Sequence, residues 1–241
     1  ENIMEGNSQN HDELERLSAA YNLRKNDLYS FLNPEVYFSR LDLNWKIIRF
    51  LKKKFLTASK LSFSDLKITE IGCGVGTNLL DFLQMGFSPQ NITGIEYLHD
   101  RVLAARLALP SDIVIIEGDA TYAEVEKCSN DLIYISLVFS SLLDDSVQDA
   151  LAAKAWEVLR PGGVIVWYDF VFDNPSNTSV RAVSLERVKA LFPEGKFKSK
   201  RVTLAPPISR RVCQIHPALW GLFNLFPFLR THKLIFIEKG N

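Results

Sequence analysis

The 241-residue chain has no surplus of either charge: 28 basic and 28 acidic side chains leave a formal net charge of +0. Proteins that hold nucleic acid through its phosphates carry a basic excess, so the balance argues against nucleic acid as a partner. Cysteine is scarce. Cys73, Cys128 and Cys213 form no C-x-x-C pair and are odd in number. That argues against a disulfide scaffold or a zinc site and fits buried thiols in a reducing, cytoplasmic compartment. No apolar run reaches the ~20 residues that a membrane-spanning helix needs. The polar N-terminus shows no secretory signal, and residues 1–10 read as disordered. Internal repeats and a metal-ligating constellation are also missing, so metal-independent chemistry is expected.

What is present is a core. At 47% hydrophobic and 23% charged residues, the composition fits one globular domain with a helical appendage. Residues 11–60 read as an N-terminal helical cap. Helical periodicity runs over Asp12–Tyr21 and over Glu35–Phe55, with Asn33-Pro34 between them. The second stretch is apolar at Val36, Leu41, Trp45, Ile48 and Leu51, and Lys52-Lys53-Lys54 reads as its solvated end.

Residues 61–241 then alternate strand and helix. Strands are expected at Leu66–Ile71, Asn91–Glu96, Ile113–Glu117, Asp131–Ser136 and Val164–Asp169. Helices are expected at Thr77–Met85, Asp100–Leu109 and Asp144–Leu159, the last stopped by Arg160-Pro161-Gly162-Gly163. Such a βαβα rhythm implies an α/β fold with a doubly wound, largely parallel sheet. After a short helix at Leu185–Phe192, Lys196–Leu204 and His232–Glu238 read as a late antiparallel pair, one strand inserted beside the fifth. An insertion around 205–231 separates them and contains a helical segment, Ala218–Phe226. Lys196, Lys198 and Lys200 alternate on the wet face of the first late strand.

A doubly wound sheet binds ligands beyond the carboxyl ends of its strands. At the first end stands Glu70-Ile71-Gly72-Cys73-Gly74-Val75-Gly76. Alternate glycines let the backbone turn and approach a ligand closely. The preceding acid repels phosphate but accepts a bond from a cationic group. Glu96, followed by Tyr97, ends the second strand, where a carboxylate can bind both hydroxyls of a ribose. Gly118-Asp119-Ala120 follows the third, where Asp119 can accept from an adenine amino group. Ser136, then Leu137-Val138-Phe139-Ser140-Ser141, ends the fourth, and Asp169 ends the fifth. Each feature alone has an ordinary structural explanation, a turn glycine or a helix-capping acid. Their joint register at successive strand ends is the signal.

The register resembles that of the class I S-adenosylmethionine-dependent methyltransferases. The likeness covers Leu66 to Asp169 by motif, and the late strand pair agrees with that fold. The resemblance implies a Rossmann-like seven-stranded sheet, mostly parallel with one antiparallel edge strand. It implies S-adenosylmethionine as cofactor, held by Glu70, Gly72, Cys73, Gly74, Gly76, Glu96, Tyr97, Gly118, Asp119, Ala120, Ser136 and Phe139. More narrowly, Val138–Ser141, Trp167–Phe170, Asn174-Pro175, Leu204–Pro207 with Arg210-Arg211, and Pro227–His232 resemble a bacterial subgroup whose members often lie in polysaccharide or envelope-glycan gene clusters. That implies transfer to a small-molecule or glycan hydroxyl. An NAD-dependent oxidoreductase is the rival: its G-x-G-x-x-G fingerprint needs a glycine where Thr77 stands, and its pyrophosphate would meet Glu70. A non-catalytic S-adenosylmethionine-binding protein is a third reading.

The acceptor side is less legible. Asp169 is the leading candidate base, with His216 and His232 in or beside the insertion as runners-up. Tyr29, Tyr37 and Arg40 on the cap, with Asn174, Arg181 and Arg210, are candidate acceptor contacts; the arginines suit an anionic group. The apolar stretch Leu219–Phe223 with Phe226 and Phe228 reads first as core packing. A dimer partner or a lipid-linked acceptor at the inner membrane surface are the alternatives. Monomer and homodimer both remain compatible with the sequence.

Overall fold

The computed structural model describes Arg16, Ala19 and residues 30–57, 61–173 and 179–240. Tyr29 and Asn174 lie outside these residues. Of the expected Asp12–Tyr21 helix, only Arg16 and Ala19 are described, both helical.

Helix α1 spans Pro34–Leu51, with proline at its first position, where the missing N–H costs no bond. Leu43, Ile47 and Leu51 recur every fourth residue and form its buried face. Leu41 and Trp45, expected to be apolar contacts, stand 49% and 59% exposed instead. The helix is rotated so that Phe50 stacks on Phe236 of the sheet at 3.7 Å between ring centroids. A π-helical turn, Lys52–Leu56, continues α1 and buries Phe55 while Lys52 and Lys53 face water.

The alternating elements follow: β1 (Ile68–Ile71), α2 (Thr77–Met85), β2 (Ile92–Glu96), α3 (His99–Ala108), β3 (Val114–Glu117), β4 (Asn130–Ser136), α4 (Asp145–Val158) and β5 (Leu159–Phe170). All four residues of β1 and six of seven in β4 are buried, as expected for central parallel strands covered on both faces. One core layer holds Ile47, Leu79, Phe82, Val102 and Tyr134 from α1, α2, α3 and β4. The opposite layer holds Ile133, Val147, Leu151, Ala155, Trp167 and Val188.

The chain closes with α5 (Leu185–Leu191), β6 (Lys196–Leu204), α6 (Pro206–Ile215), α7 (Leu219–Phe223) and β7 (Arg230–Glu238). The seven strands lie in the order β3-β2-β1-β4-β5-β7-β6. β7 pairs antiparallel with both neighbours. The antiparallel strand is therefore second from the edge, and the outermost strand β6 is anchored through it. The order reverses between β1 and β4, which opens a crevice at their carboxyl ends.

Two further differences from the expected elements have local causes. Arg160–Gly163 was expected as a turn but belongs to β5, which starts directly at the end of α4. The register shift between Asn130 and Leu132 absorbs the extra residues, and an Arg160–Asp131 ion pair pins them. Helix α6 was missed because Pro206 and Pro207 open it, where proline is tolerated. Its buried Val212 and Cys213 pack with Trp220, Leu204 and, from α1, Phe38.

Candidate active-site cleft

Backbone conformation builds the floor of the crevice. Gly72, Gly74 and Gly76 adopt φ of 70°, 60° and 82°, a region costly for any residue with a Cβ. The amides of Gly72 and Cys73 both donate to the carbonyl of Ile95, at 2.8 and 3.0 Å, tying the loop to the end of β2. A Cβ on Gly72 would lie 2.7 Å from Val138, so glycine there keeps the space between loop and β4 open. Gly76 ends the loop as the N-cap of α2 and offers no side-chain cap, leaving the helix's first amides to the crevice.

Three acids surround this loop with different duties. Glu96 is 4% exposed; its Oε2 accepts from the Gly74 amide at 2.8 Å and its Oε1 from Leu98 N at 2.9 Å. The Arg101 guanidinium stands 3.8 Å from Oε2. Asp119 bonds the amide and hydroxyl of Thr121, each at 2.8 Å, which fixes the turn after β3. Glu70 is fully buried: Oε1 accepts from Asn78 at 2.6 Å, while Oε2 has no partner. Burial pushes its carboxyl up to about 8, against the opposing pull of Asn78 and Arg40.

Around these groups lies a cleft of about 570 Å³. Gly72, Cys73, Glu96, Tyr97, Gly118, Asp119, Ala120 and Ser136, all expected at a cofactor site, line it together. Gly74 and Gly76 lie in the loop behind the lining, and Glu70 beneath it. Burial raises the Cys73 thiol far above its ordinary value, so it packs as an apolar group. Phe139 does not reach the cleft: it is wholly buried with its ring 4.2 Å from that of Trp167, because the turn after β4 points it into the core. Ser141 and Leu142 line the cleft from that turn.

Among the described residues, Arg40 is the one acceptor-side candidate that lines the cleft. Its Nε donates to Asp81 at 2.6 Å, it also bonds the Thr77 carbonyl, and its guanidinium lies 4.9 Å from the Phe31 ring centroid. Asn44 donates to the same Asp81 oxygen at 2.7 Å. The cap helix is thereby clamped to the start of α2, and Phe31 overhangs the cleft. Tyr37 is 47% exposed and outside the lining, its ring edge-on to that of Phe31 at 6.2 Å. Arg181 pairs with Asp145 on the surface, and Arg210 sits on α6, outside the lining.

The three candidate bases also lie outside the lining. Asp169 is 2% exposed and accepts from the amides of Ser140, at 3.0 Å, and Phe170, at 2.9 Å. Burial pushes it up to about 7, and its visible duty is to hold the turn that carries Ser141 and Leu142. His232 stacks on Tyr168 at 5.0 Å, and burial lowers its pKa to about 4. His216 is exposed and accepts from the Ala218 amide at 3.2 Å.

Residues 68–163 match the family described as a methyltransferase domain. A tRNA N(3)-methylcytidine methyltransferase of Drosophila melanogaster is 26% identical over 137 residues, 54% of this chain and 42% of that protein. An uncharacterized methyltransferase of Bacillus mycoides is 33% identical over 105 residues, 44% and 47% of the two chains. The chain thus spans less than half the length of the curated relatives it matches. Among solved structures, a SAM-dependent methyltransferase from Archaeoglobus fulgidus superposes with a TM-score of 0.56 at 15% identity, covering 81% of this chain and 94% of that one. Haemonchus contortus phosphoethanolamine N-methyltransferase 2, solved with S-adenosylhomocysteine and phosphomonomethylethanolamine, gives 0.55 at 14%, covering 83% and 53%. The chain therefore shares the Rossmann-like fold of these solved structures.

Sequence reasoning missed several lining residues of this cleft: Phe31, Asn78, Arg101, Thr121, Val138 and Leu142. Arg101 has the clearest signal, one turn into the helix that follows Glu96. Its guanidinium occupies the space a Cβ on Gly74 would need. Gly74→Ala is expected to fold but to bind S-adenosylmethionine about 10-fold more weakly in calorimetry, from backbone strain and displacement of Arg101. Unchanged affinity would show that the loop tolerates a side chain there.

Proposed function

We propose that the chain transfers the methyl group of S-adenosylmethionine to a small-molecule acceptor, with a sugar or glycan-linked hydroxyl the favoured class. One observation supports the donor reading above the rest: glycine loop, Glu96 and Gly118-Asp119-Ala120 converge on a single cleft at three successive strand ends. The residues present fit that donor. The unpartnered Oε2 of buried Glu70 and the free amides at the start of α2 suit the ammonium and carboxylate of its amino-acid part. Glu96 suits the ribose hydroxyls, and Asp119 with Ala120 the adenine edge. The same Glu70 disfavours a pyrophosphate, so an NAD reading fits poorly.

S-adenosylmethionine supplies an activated methyl on a sulfonium. The chain's share is to align an acceptor opposite that methyl and keep water out. Phe31 and Arg40 stand where the cap closes the cleft, and Arg40's charge suits an anionic acceptor. Asp169 acts by holding the Ser140–Leu142 turn. The proton of an attacking hydroxyl leaves to solvent; His232 lies outside the lining and, its pKa lowered to about 4 by burial, is a weak base. The glycan class rests on the subgroup resemblance, with an acceptor of another chemistry as the alternative.

Calorimetry with S-adenosylmethionine and with NAD tests the donor: saturable binding of the first and none of the second is expected, and the reverse would overturn it. Transfer of labelled methyl to a panel of sugars, nucleotide sugars and tRNA then separates the acceptor classes. Donor binding with no transfer to any acceptor would favour the non-catalytic reading.

A further inference from the structure

The insertion between β6 and β7 has two unlike sides. Its inner side is anchored: Trp220 is buried and its ring lies 5.8 Å from that of Phe38 on α1. Its outer side is apolar and bare. Leu222 is 52% exposed, Leu225 70%, Phe226 44% and Phe228 73%, with the rings of Phe226 and Phe228 5.7 Å apart. The core-packing expectation therefore holds for Trp220 and fails for Leu222, Phe226 and Phe228. Scattered exposed apolar groups are ordinary, whereas four within seven residues of one tip are not.

Charge distinguishes what could cover them. The chain as a whole is balanced, yet residues 205–231 contain Arg210, Arg211 and Arg230 and no acid. Arg230 is spent on the tip itself, donating to the carbonyls of Asn224 and Arg201. Arg210 and Arg211 remain on α6, beside the apolar tip. A second copy meeting this face through the same residues would set arginine against arginine with no acid in the segment to pair them. An anionic lipid surface offers apolar depth and opposite charge together.

We propose that the 205–231 tip docks on an anionic bilayer, with Leu222, Leu225, Phe226 and Phe228 in the interface and Arg210 and Arg211 toward the headgroups. The start of β7, which leads out of the tip, pairs through His232 with Phe170 at the carboxyl end of β5. Docking would hold the edge of the sheet that carries the cleft toward the lipid, suiting an acceptor with an apolar anchor. The docking itself does not depend on methyl transfer.

Vesicle sedimentation of the full chain tests it. Strong binding is expected to vesicles of equal parts phosphatidylcholine and phosphatidylglycerol, with little to phosphatidylcholine alone. F226S/F228S should weaken binding about 10-fold or more through lost apolar burial. R210Q/R211Q should weaken it to a similar degree and reduce its salt dependence. Circular dichroism and S-adenosylmethionine calorimetry confirm that each variant is folded with its cleft intact. Failure to bind anionic vesicles, or binding by either variant as strong as that of wild type, would overturn the proposal. So would a dimer in analytical ultracentrifugation that F226S/F228S dissociates, which would assign the face to a second copy.

Discussion

Replacing Glu96 with alanine is expected to weaken S-adenosylmethionine binding by about 100-fold or more, the largest single loss at the donor site. A carboxylate that accepts from two hydroxyls contributes on the order of 1.5–3 kcal/mol per charge-assisted bond. Glu96 has a further duty. It accepts the amide of Gly74 on one oxygen and that of Leu98 on the other, so it also sets the glycine loop. Alanine removes both the proposed ribose contact and the support, and leaves two amides to find water. Glu96→Gln retains an acceptor for one amide and should fall between wild type and alanine. Calorimetry on the folded variants reads the result. An affinity for the donor equal to wild type would remove Glu96 from the ribose site.

The second large effect concerns stability. Glu70 has a folded pKa of about 8 against an ordinary 4.5, because burial disfavours its charged form. Between those two pH values the folded protein holds a proton that the unfolded chain has released. Stability therefore falls as pH rises through the window, and the penalty is complete above about 8. It amounts to on the order of 4 kcal/mol at pH 9. Glu70→Gln removes the ionisation but keeps an oxygen for Asn78. The variant is expected to resist urea better than wild type at pH 9, with little difference near pH 5, while losing most of its affinity for S-adenosylmethionine. Asp169, pushed up to about 7 from 3.8, gives a similar slope that the Glu70 variant retains. A parallel pH profile for Glu70→Gln and wild type would mean that Glu70 is solvated or compensated in the folded state. A buried acid that costs stability and lacks a partner on one oxygen is what a binding site exchanges for affinity.

These two acids show how differently the site was legible. Glu96 could be placed because it ends a strand beside a glycine loop, and both features are local. Glu70 could be placed in the loop, but its isolation could not: that depends on α1 and α2 closing over it and on Arg40 turning to Asp81. The candidates in the middle and late parts of the chain divide the same way. Phe139 follows a strand end as the cofactor residues do, yet a turn directs it onto Trp167. Asp169 ends a strand too, and its carboxylate faces its own backbone and that of Ser140.

By itself the sequence determined the alternation of strands and helices, the glycine loop, the acids at the strand ends and the exclusion of a dinucleotide fingerprint by Thr77. Each follows from residue type and near-neighbour spacing: hydrophobic period, glycine at positive φ, and acids at carboxyl ends of strands. Only the tertiary structure decided which side of α1 is buried, that Arg40 clamps the cap to α2, and that Arg101 stands against Gly74 and Glu96. It also decided that Asp169 and His232 lie off the cleft and that the 205–231 tip presents its phenylalanines outward. Side-chain direction at these places is set by packing partners distant in the chain, and no local pattern encodes that.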